Sequence, residues 1–398
     1  MIRVVTLSAL ALIAAPATAR TIAVAAGPGG QERLQSALLD AKPGDIVAIG
    51  AGRFDLTDGL SLDVARVTVR GAGRDKTVLS FKGQLGAGEG LLVTSDDVVL
   101  RGFAVEDTRG DGIKSKGANR IVYTDLRVEW TGGPKETNGA YGVYPVSSAQ
   151  VLIDGVIVKG ASDAGIYVGQ SEQIIVRNSI ASGNVAGIEI ENSRHADVFH
   201  NMATHNTGGI LVFDLPNLPR LGGGDVRVFE NQVVDNDQVN FAPKGNIVAT
   251  VRRGTGVLVM ANDNVRVTHN NLVGNATANV MIVSYRNSFT DTKYNPYPRG
   301  VAVLENNQGR AGYDPQLPGA DQLKAAFGGS IPPVLWDGAG DPKALGLSVT
   351  DPVKVLGLGL AQGAAMETAK PGLVALNGTP PAAPTPVVLP ASMEAAVK

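Results

Sequence analysis

A short pattern returns along the chain about every 20 to 40 residues, and it constrains the fold more than any other feature of the sequence. Each copy is a brief aliphatic run that ends in a small or polar residue. The copies end at Gly102, Asp125, Gly155, Asn178, Asn201, Asn231, Asn270 and Asn306. An aliphatic residue stands three positions before each of these ends: Val99, Val122, Leu152, Ile175, Val198, Val228, Val267 and Val303. Repeats of this length indicate a chain that coils into stacked, similar turns, with the aliphatic positions as its core.

A second repeated feature is a glycine followed by isoleucine or valine. It occurs at Gly112, Gly142, Gly165, Gly187, Gly209 and Gly256. Short β-branched runs separated by glycine and asparagine favour strands over helix pairs, so the solenoid is predicted to be all-β. Stacked turns lie about 4.8 Å apart, and an unpaired buried amide costs roughly 1–3 kcal/mol. We therefore expect Asn178, Asn201, Asn231 and Asn270 to form an internal hydrogen-bonded ladder.

Composition limits where the protein works and what it binds. Residues 1–19 combine an early arginine, an apolar run and an Ala17-Thr-Ala19 ending, which predicts a signal peptide and a periplasmic or secreted mature protein. No later stretch is long and apolar enough to span a membrane, and the chain has no cysteine. The net charge of −2, without a basic cluster, argues against a nucleic-acid partner. A monomer is expected.

The two ends of the repeat region differ from its middle. Residues Gln31 to Leu39 predict a short amphipathic helix, with Leu34, Ala37, Leu38 and Ala41 on one side, that caps the open edge of the first turn. The repeat pattern is lost after Gln308, where prolines become frequent. We expect three regions: a signal peptide over 1–19, a capped β-helix over 20–308, and an irregular, Pro-rich extension over 309–398 whose last twenty or so residues are disordered.

These repeats, the capping helix and the opening segment from Pro43 to Phe54 resemble the right-handed parallel β-helix proteins of the pectin-lyase-like superfamily. The resemblance covers about residues 27 to 308 and rests on scaffold residues. It implies a right-handed parallel β-helix and, for many members, action on a polysaccharide: the superfamily includes pectate and pectin lyases, polygalacturonases, and alginate lyases and epimerases. The Gly-His-Gly motif of polygalacturonases and the Asp-Pro-His motif of alginate epimerases are absent. The chain looks most similar to exported members whose biochemistry is unassigned.

Candidate site residues follow from counting past the repeated glycines. Two positions on, where side chains should face outward, come Lys114, Tyr144, Tyr167 and Glu189; four positions on come Lys116 and Glu191. For a uronate lyase, Tyr167 or Lys114 would be the base, and Lys116 or Arg194 would hold the substrate carboxylate. Glu189 and Glu191 form an alternative pair for inverting hydrolysis, with an ordinary solvated strand as the competing interpretation.

Two further features are ambiguous. Trp130 lies in a long loop beside the tyrosines and would form either the wall of a sugar-binding groove or an ordinary loop. His200, Glu230 and His269 recur at equivalent positions, but the two imidazoles should be two turns apart. A solvated column is the preferred interpretation there, and no metal site is predicted. No cofactor is assigned, although calcium is a candidate ion for a lyase.

Two functions remain open on the sequence. The first is an exported enzyme or binding protein for an acidic polysaccharide, with a uronate lyase as the specific form. The alternative is a non-catalytic periplasmic binding or assembly module with a protein partner. Binding requires only the tyrosine strip, whereas catalysis also requires groups that transfer a proton.

Overall fold

Three long sheets wind around a common core in the computed structural model, which describes residues 19–86 and 88–398. A typical turn of the coil adds one strand to each sheet, and successive turns pair in parallel. The strands are short because glycine and residues with positive φ recur at the corners between sheets, where the chain changes direction. The all-β, parallel solenoid predicted from the repeats is confirmed.

The described residues form the following strands. Sheet I contains β1 (Thr21–Val24), β2 (Ile46–Ile49), β5 (Thr68–Arg70), β8 (Val99–Arg101), β11 (Ile121–Thr124), β14 (Ala149–Asp154), β17 (Glu172–Arg177), β20 (Arg194–Phe199), β23 (Gly224–Phe229), β26 (Asp263–Thr268), β29 (Ala302–Leu304) and β32 (Ser348–Val349). Sheet II contains β3 (Gly52–Asp55), β6 (Thr77–Ser80), β9 (Ala104–Glu106), β12 (Arg127–Glu129), β15 (Ile157–Lys159), β18 (Ile180–Ser182), β21 (Met202–Thr204), β24 (Gln232–Val234), β27 (Asn271–Val273) and β30 (Asn307–Gln308). Sheet III contains β4 (Leu60–Leu62), β7 (Leu91–Val93), β10 (Ile113–Lys116), β13 (Tyr141–Val146), β16 (Ala164–Gly169), β19 (Ala186–Glu191), β22 (Gly208–Phe213), β25 (Thr255–Met260), β28 (Ala278–Val283), β31 (Val334–Trp336), β33 (Val355–Gly357) and β34 (Gly372–Val374).

Helical elements lie outside the coil. Helix α1 (Gly30–Asp40) contacts β1, β3 and β4 at the first turn, and it buries Leu34, Ala37 and Leu38. The predicted capping helix is therefore confirmed. The remaining helical elements are a 3₁₀ turn at Ile247–Thr250, α2 (Ala320–Ala326), a 3₁₀ turn at Met366–Thr368 and α3 (Ala391–Ala395).

Asparagines form two ladders inside the coil. The amide of Asn201 donates to Asn231 at 3.0 Å, Asn231 to Asn270 at 2.9 Å, and Asn270 to Asn306 at 3.0 Å. A second ladder, which the sequence did not reveal, stacks Asn184, Asn206, Asn236 and Asn275. Each amide also reaches a backbone carbonyl, such as that of Val176 from Asn201, so the buried polar groups are satisfied.

The predicted register is wrong at Asn178, by one residue. Asn178 is exposed at a corner. Ser179 occupies the ladder position instead, and its backbone N–H donates to the side-chain oxygen of Asn201 at 3.0 Å. A shift of one residue reverses the face that a side chain occupies. The predicted core column therefore splits: Val198, Val228, Val267 and Val303 face the interior, whereas Val99, Val122, Leu152 and Ile175 lie on the outer face of sheet I.

The C-terminal extension continues the solenoid beyond the end of the sequence repeats. Strands β31 and β33 extend sheet III, β32 extends sheet I, and the antiparallel strand β34 ends sheet III. The predicted disorder of the last residues is not found. Leu389 and Met393 instead pack on Val122, Leu152 and Ile175 because this outer strip of sheet I is apolar.

The segment that precedes the solenoid was predicted to be a signal peptide. Apart from Ala19, it lies outside the described residues. Over residues 19–86 and 88–398, no helix is both long and apolar enough to cross a membrane.

Candidate functional site

The predicted strip lies on the outer face of sheet III, across β10, β13, β16 and β19. Lys114 pairs in register with Tyr144, and Tyr167 pairs with Glu189. Their neighbours along each strand, such as Ile166 and Ile188, fill the interior, so strand alternation turns the polar side chains outward. The structure thus brings these four predicted residues into one column.

Three tyrosine rings form the centre of this column. The ring centroids of Tyr141, Tyr144 and Tyr167 are 4.5, 4.6 and 4.8 Å apart, with tilted and edge-on packing. Tyr141 and Tyr144 are partly exposed, whereas Tyr167 is only 4% exposed. Burial raises the pKa of Tyr167 far above its ordinary value, and the charge of Glu191 raises it further. Tyr167 is therefore held as a neutral phenol.

Lys114 lies at the more open end of the column. Its ammonium group contacts Glu89 at 2.9 Å and Asp111 at 3.2 Å, and it lies 4.9 Å from the centroid of Tyr144. Burial lowers the pKa of Lys114, but the two carboxylates outweigh that effect and raise it above its ordinary value. Lys114 therefore remains protonated and is partly neutralised.

Three acidic side chains lie behind the tyrosines: Asp163, Glu189 and Glu191. All three are buried, and among the residues that the structure describes Oε1 of Glu189 has no hydrogen-bond partner. Burial raises the pKa of Glu191 to about 7, although the neighbouring Tyr167 hydroxyl acts in the opposite direction. Burial also raises the pKa values of Glu189 and Asp163 above their ordinary range. These carboxyls can therefore carry protons near neutral pH.

A long loop between β24 and β25 lies over this part of sheet III. Its Asn246 donates to the Asp163 carboxylate at 3.2 Å, and its Val248 and Val251 line a cavity together with Leu211 and Phe213 of β22. The predicted open strip is therefore wrong for Tyr167, Glu189 and Glu191. These side chains point away from the coil, as expected, but they are covered.

The other predicted site residues occupy different surroundings. Lys116 is exposed at the end of β10 and belongs to the same face. Arg194 begins β20 in sheet I, beyond the corner that follows Glu191. Trp130 is 5% exposed and its indole nitrogen donates to the Thr108 carbonyl at 2.7 Å, so it packs in the core and is not an open wall for sugar stacking.

Sequence reasoning missed five residues of the site. Asp111 and Tyr141 stand directly before the repeated Gly112 and Gly142. Asp163 stands two positions before the repeated Gly165, where a count backward from the glycines would have found it. Glu89 stands just before Gly90, outside the repeats that were aligned. Asn246 lies in a loop without periodicity, and no local signal in the sequence connects it to Asp163.

The histidine column forms exposed pairs with carboxylates. His200 contacts Glu230 at 2.6 Å and His269 contacts Glu305 at 3.2 Å. Within the described part of the chain, no group of three or more histidine, cysteine or acidic residues is arranged to hold a metal ion.

Comparison with known proteins identifies the family. The model of the right-handed β-helix region matches residues 68–219 and 136–294, which together are more than half of the chain. The protein therefore belongs to the right-handed β-helix family, as the sequence resemblance predicted. A comparison with curated proteins gives no match.

Solved structures share the fold at low identity. The A-module of the Azotobacter vinelandii mannuronan C-5 epimerase AlgE6 has a TM-score of 0.50 and 13% identity, over 78% of this chain and 86% of that chain. A polygalacturonase from Erwinia carotovora has a TM-score of 0.49 and 12% identity, over 77% of this chain and 96% of that chain. At this identity, the likeness is one of fold.

Proposed function

We propose that this protein is an exported enzyme that acts on a polysaccharide at the outer face of sheet III, with Glu191 as its proton-transferring group. The observation that carries the proposal is the burial of the Glu191 side chain on β19, beside the strand that carries Tyr167. A carboxyl whose pKa is about 7 is almost equally ready to donate and to accept a proton at neutral pH, which general acid–base catalysis requires.

The protonation states of Lys114 and Tyr167 indicate which roles these two residues can have beside Glu191. Lys114 and Tyr167 both hold their protons, so neither fits the base that a uronate lyase needs. Tyr167 instead places a neutral hydroxyl on the strand beside Glu191, where it can orient the carboxyl. Tyr144 and Tyr141 are partly exposed and offer apolar ring faces on which a sugar can pack.

The charge balance bears on the substrate. Lys114 is already paired with Glu89 and Asp111, and Asp163, Glu189 and Glu191 are buried acids whose pKa values are raised. The carboxylate of a polyuronate would therefore meet a lysine that is already paired, and it would oppose ionisation of the buried acids. A neutral polysaccharide fits the site better than the acidic one expected from the sequence, and cleavage of a glycosidic bond fits better than uronate elimination.

Glu191 is only 6% exposed, so a substrate reaches it only if neighbouring groups move, and the loop that carries Asn246 is the segment that we expect to move. The hydrogen bond from Asn246 to Asp163 is one polar contact that holds the loop in place, so a bound glycan would have to compete with it. Long loops over the face of a solenoid are common places for substrate recognition. The names of similar solved structures, which include a mannuronan C-5 epimerase, accord with action on a polysaccharide.

Glu191→Gln tests the proposal because it keeps the shape of the side chain and removes the transferable proton. The mature chain is incubated with neutral and acidic polysaccharides, and new reducing ends and unsaturated uronates are measured separately. Glu191→Gln should lower turnover by about 10²–10⁴ while glycan binding persists. Glu230→Gln, at an exposed corner just after β23, is the matched control and should retain full activity.

Three results would change the assignment. Unsaturated uronates as the product would restore the lyase hypothesis. Full activity of Glu191→Gln would remove Glu191 from catalysis. Calorimetric binding of a glycan without any product would favour the non-catalytic binding module.

A further inference from the structure

The cavity lined by Val248, Val251, Leu211 and Phe213 has a volume of about 290 Å³ and extends along the outer face of sheet III, away from Glu191. Leu211, Leu258 and Met281 line it from three adjacent strands, in the same column that contains Glu189. The loop residue Val248 and the C-terminal residues Leu358 and Met366 line other sides of it. The space is therefore mainly apolar and is formed by three separate segments of the chain.

Two arginines also line this cavity, Arg252 and Arg286. Each donates a hydrogen bond to a backbone carbonyl, Arg252 to Gln316 and Arg286 to Ala364. Within the part of the chain that the structure describes, neither guanidinium is in an ion pair with a carboxylate. Burial lowers the pKa of Arg252, and the charge of Arg286 lowers it further. Two like charges thus face one apolar space without an opposite charge paired to them.

One acidic residue, Asp337, also lines the cavity, but its oxygens are engaged elsewhere. Oδ2 accepts hydrogen bonds from the amide and hydroxyl of Ser284 at 2.7 and 2.6 Å, and Oδ1 accepts from the amide of Ala339 at 3.1 Å. Both oxygens of Asp337 are therefore occupied by hydrogen bonds from Ser284 and Ala339. The two guanidinium groups remain available to an anion.

We propose that this cavity binds a small carboxylic acid with an apolar body, whose carboxylate meets Arg252 and Arg286. The proposal goes beyond the action on a polysaccharide. A sugar would place hydroxyl groups against leucine and methionine side chains and leave them unpaired, which is unfavourable. A hydrocarbon body gains from burial there, and a carboxylate pairs well with guanidinium groups.

A series of three probes with the same eight-carbon chain tests the charge requirement: octanoate, octanol and octylammonium. Binding to the mature protein is measured by calorimetry and by saturation-transfer NMR. Octanoate should bind at least about tenfold more tightly than octanol, and octylammonium should bind most weakly, because only octanoate pairs with the arginines. Equal binding of all three probes would overturn the proposal.

Substitutions locate the site. Arg252→Gln and Arg286→Gln should each weaken octanoate binding about tenfold or more and change octanol binding less than about twofold. Arg70→Gln, at an exposed position on sheet I, is the matched control and should change neither. Unchanged octanoate affinity in both arginine variants would show that the anion binds elsewhere. If either variant loses its fold, the selectivity of the unaltered protein among the three probes decides.

Discussion

The hydroxyl of Tyr167 lies directly over Gly169, two residues further along the same strand. A β-carbon at Gly169 would stand 2.2 Å from the Tyr167 oxygen and 2.4 Å from the nearest ring carbon. Gly169 pairs in register with Glu191, so the space left by the missing side chain lets the phenol reach that carboxyl. The glycine thus determines where the Tyr167 hydroxyl lies.

Gly169→Ala should therefore displace the Tyr167 ring and move its hydroxyl relative to Glu191. We expect a loss of roughly 1–3 kcal/mol in the free energy of unfolding, as for other overpacked sites, and a large loss of any activity that depends on Glu191. Urea denaturation gives the first quantity. Gly372→Ala is the matched control, because a β-carbon there meets nothing within 4 Å. Equal stability of the two variants would contradict the packing described.

The ladder makes Asn201 more important for stability than an exposed asparagine. Asn201→Leu leaves the Val176 carbonyl and the Ser179 amide without partners, and it breaks the link to Asn231. A cost of roughly 2–5 kcal/mol follows from several unsatisfied buried groups. Asn307→Leu, on the exposed side of β30, should cost less than about 1 kcal/mol. The two denaturation midpoints in urea test the difference, and equal midpoints would argue against an internal ladder.

Stability should fall as the pH rises toward neutrality. Folding raises the pKa of Glu191 from 4.5 to about 7, so the folded state binds more protons than the unfolded state between these values. The stabilisation is complete below pH 4.5 and is lost as the pH rises through 7, with an upper limit of about 3 kcal/mol. The raised pKa values of Glu189 and Asp163 affect stability in the same direction.

Urea midpoints measured between pH 4.5 and 8 check this pH dependence. Glu191→Gln should flatten the decline because it removes one of the titrating groups. A rise of stability over this range in the unaltered protein would show that the buried carboxyls are charged.

Helix α3 and the residues just before it should detach from sheet I when their buried side chains are made polar. Leu389 and Met393 pack against the apolar strip on sheet I, and Glu394 pairs with Arg177 at 2.7 Å. Leu389→Lys with Met393→Lys should make the last residues susceptible to protease and increase the binding of an apolar dye. Val388→Lys is the matched control because Val388 is 79% exposed. Unchanged protection in the double variant would mean that α3 is held by other contacts.

The sequence predicted those features that depend on periodicity. Repeated valines and glycines fix the sheets, and counting from the glycines places Lys114, Tyr144, Tyr167 and Glu189 in one column. The register failed at Asn178 because asparagine also favours corner positions with positive φ, which is where that residue lies.

The repeats could not predict which distant segments of the chain pack on the outer faces of the sheets. The loop with Asn246 and the helix α3 reach surfaces formed by residues far away in the chain, and neither has a local pattern that indicates its target. The expected exposure of Tyr167 and Glu191 was wrong for this reason. Burial, in turn, is what gives Glu191 its unusual pKa.

The position of α3 also affects how the molecule is assembled over time. Arg177 and Glu394 are 217 positions apart, so Arg177 is synthesised long before its partner Glu394. Turns of the coil can stack one after another as the chain appears, because each turn needs only its neighbour. The apolar strip around Val122, Leu152 and Ile175 stays uncovered until the final residues arrive. The period in which unfinished chains can associate with one another is therefore set by the speed of synthesis.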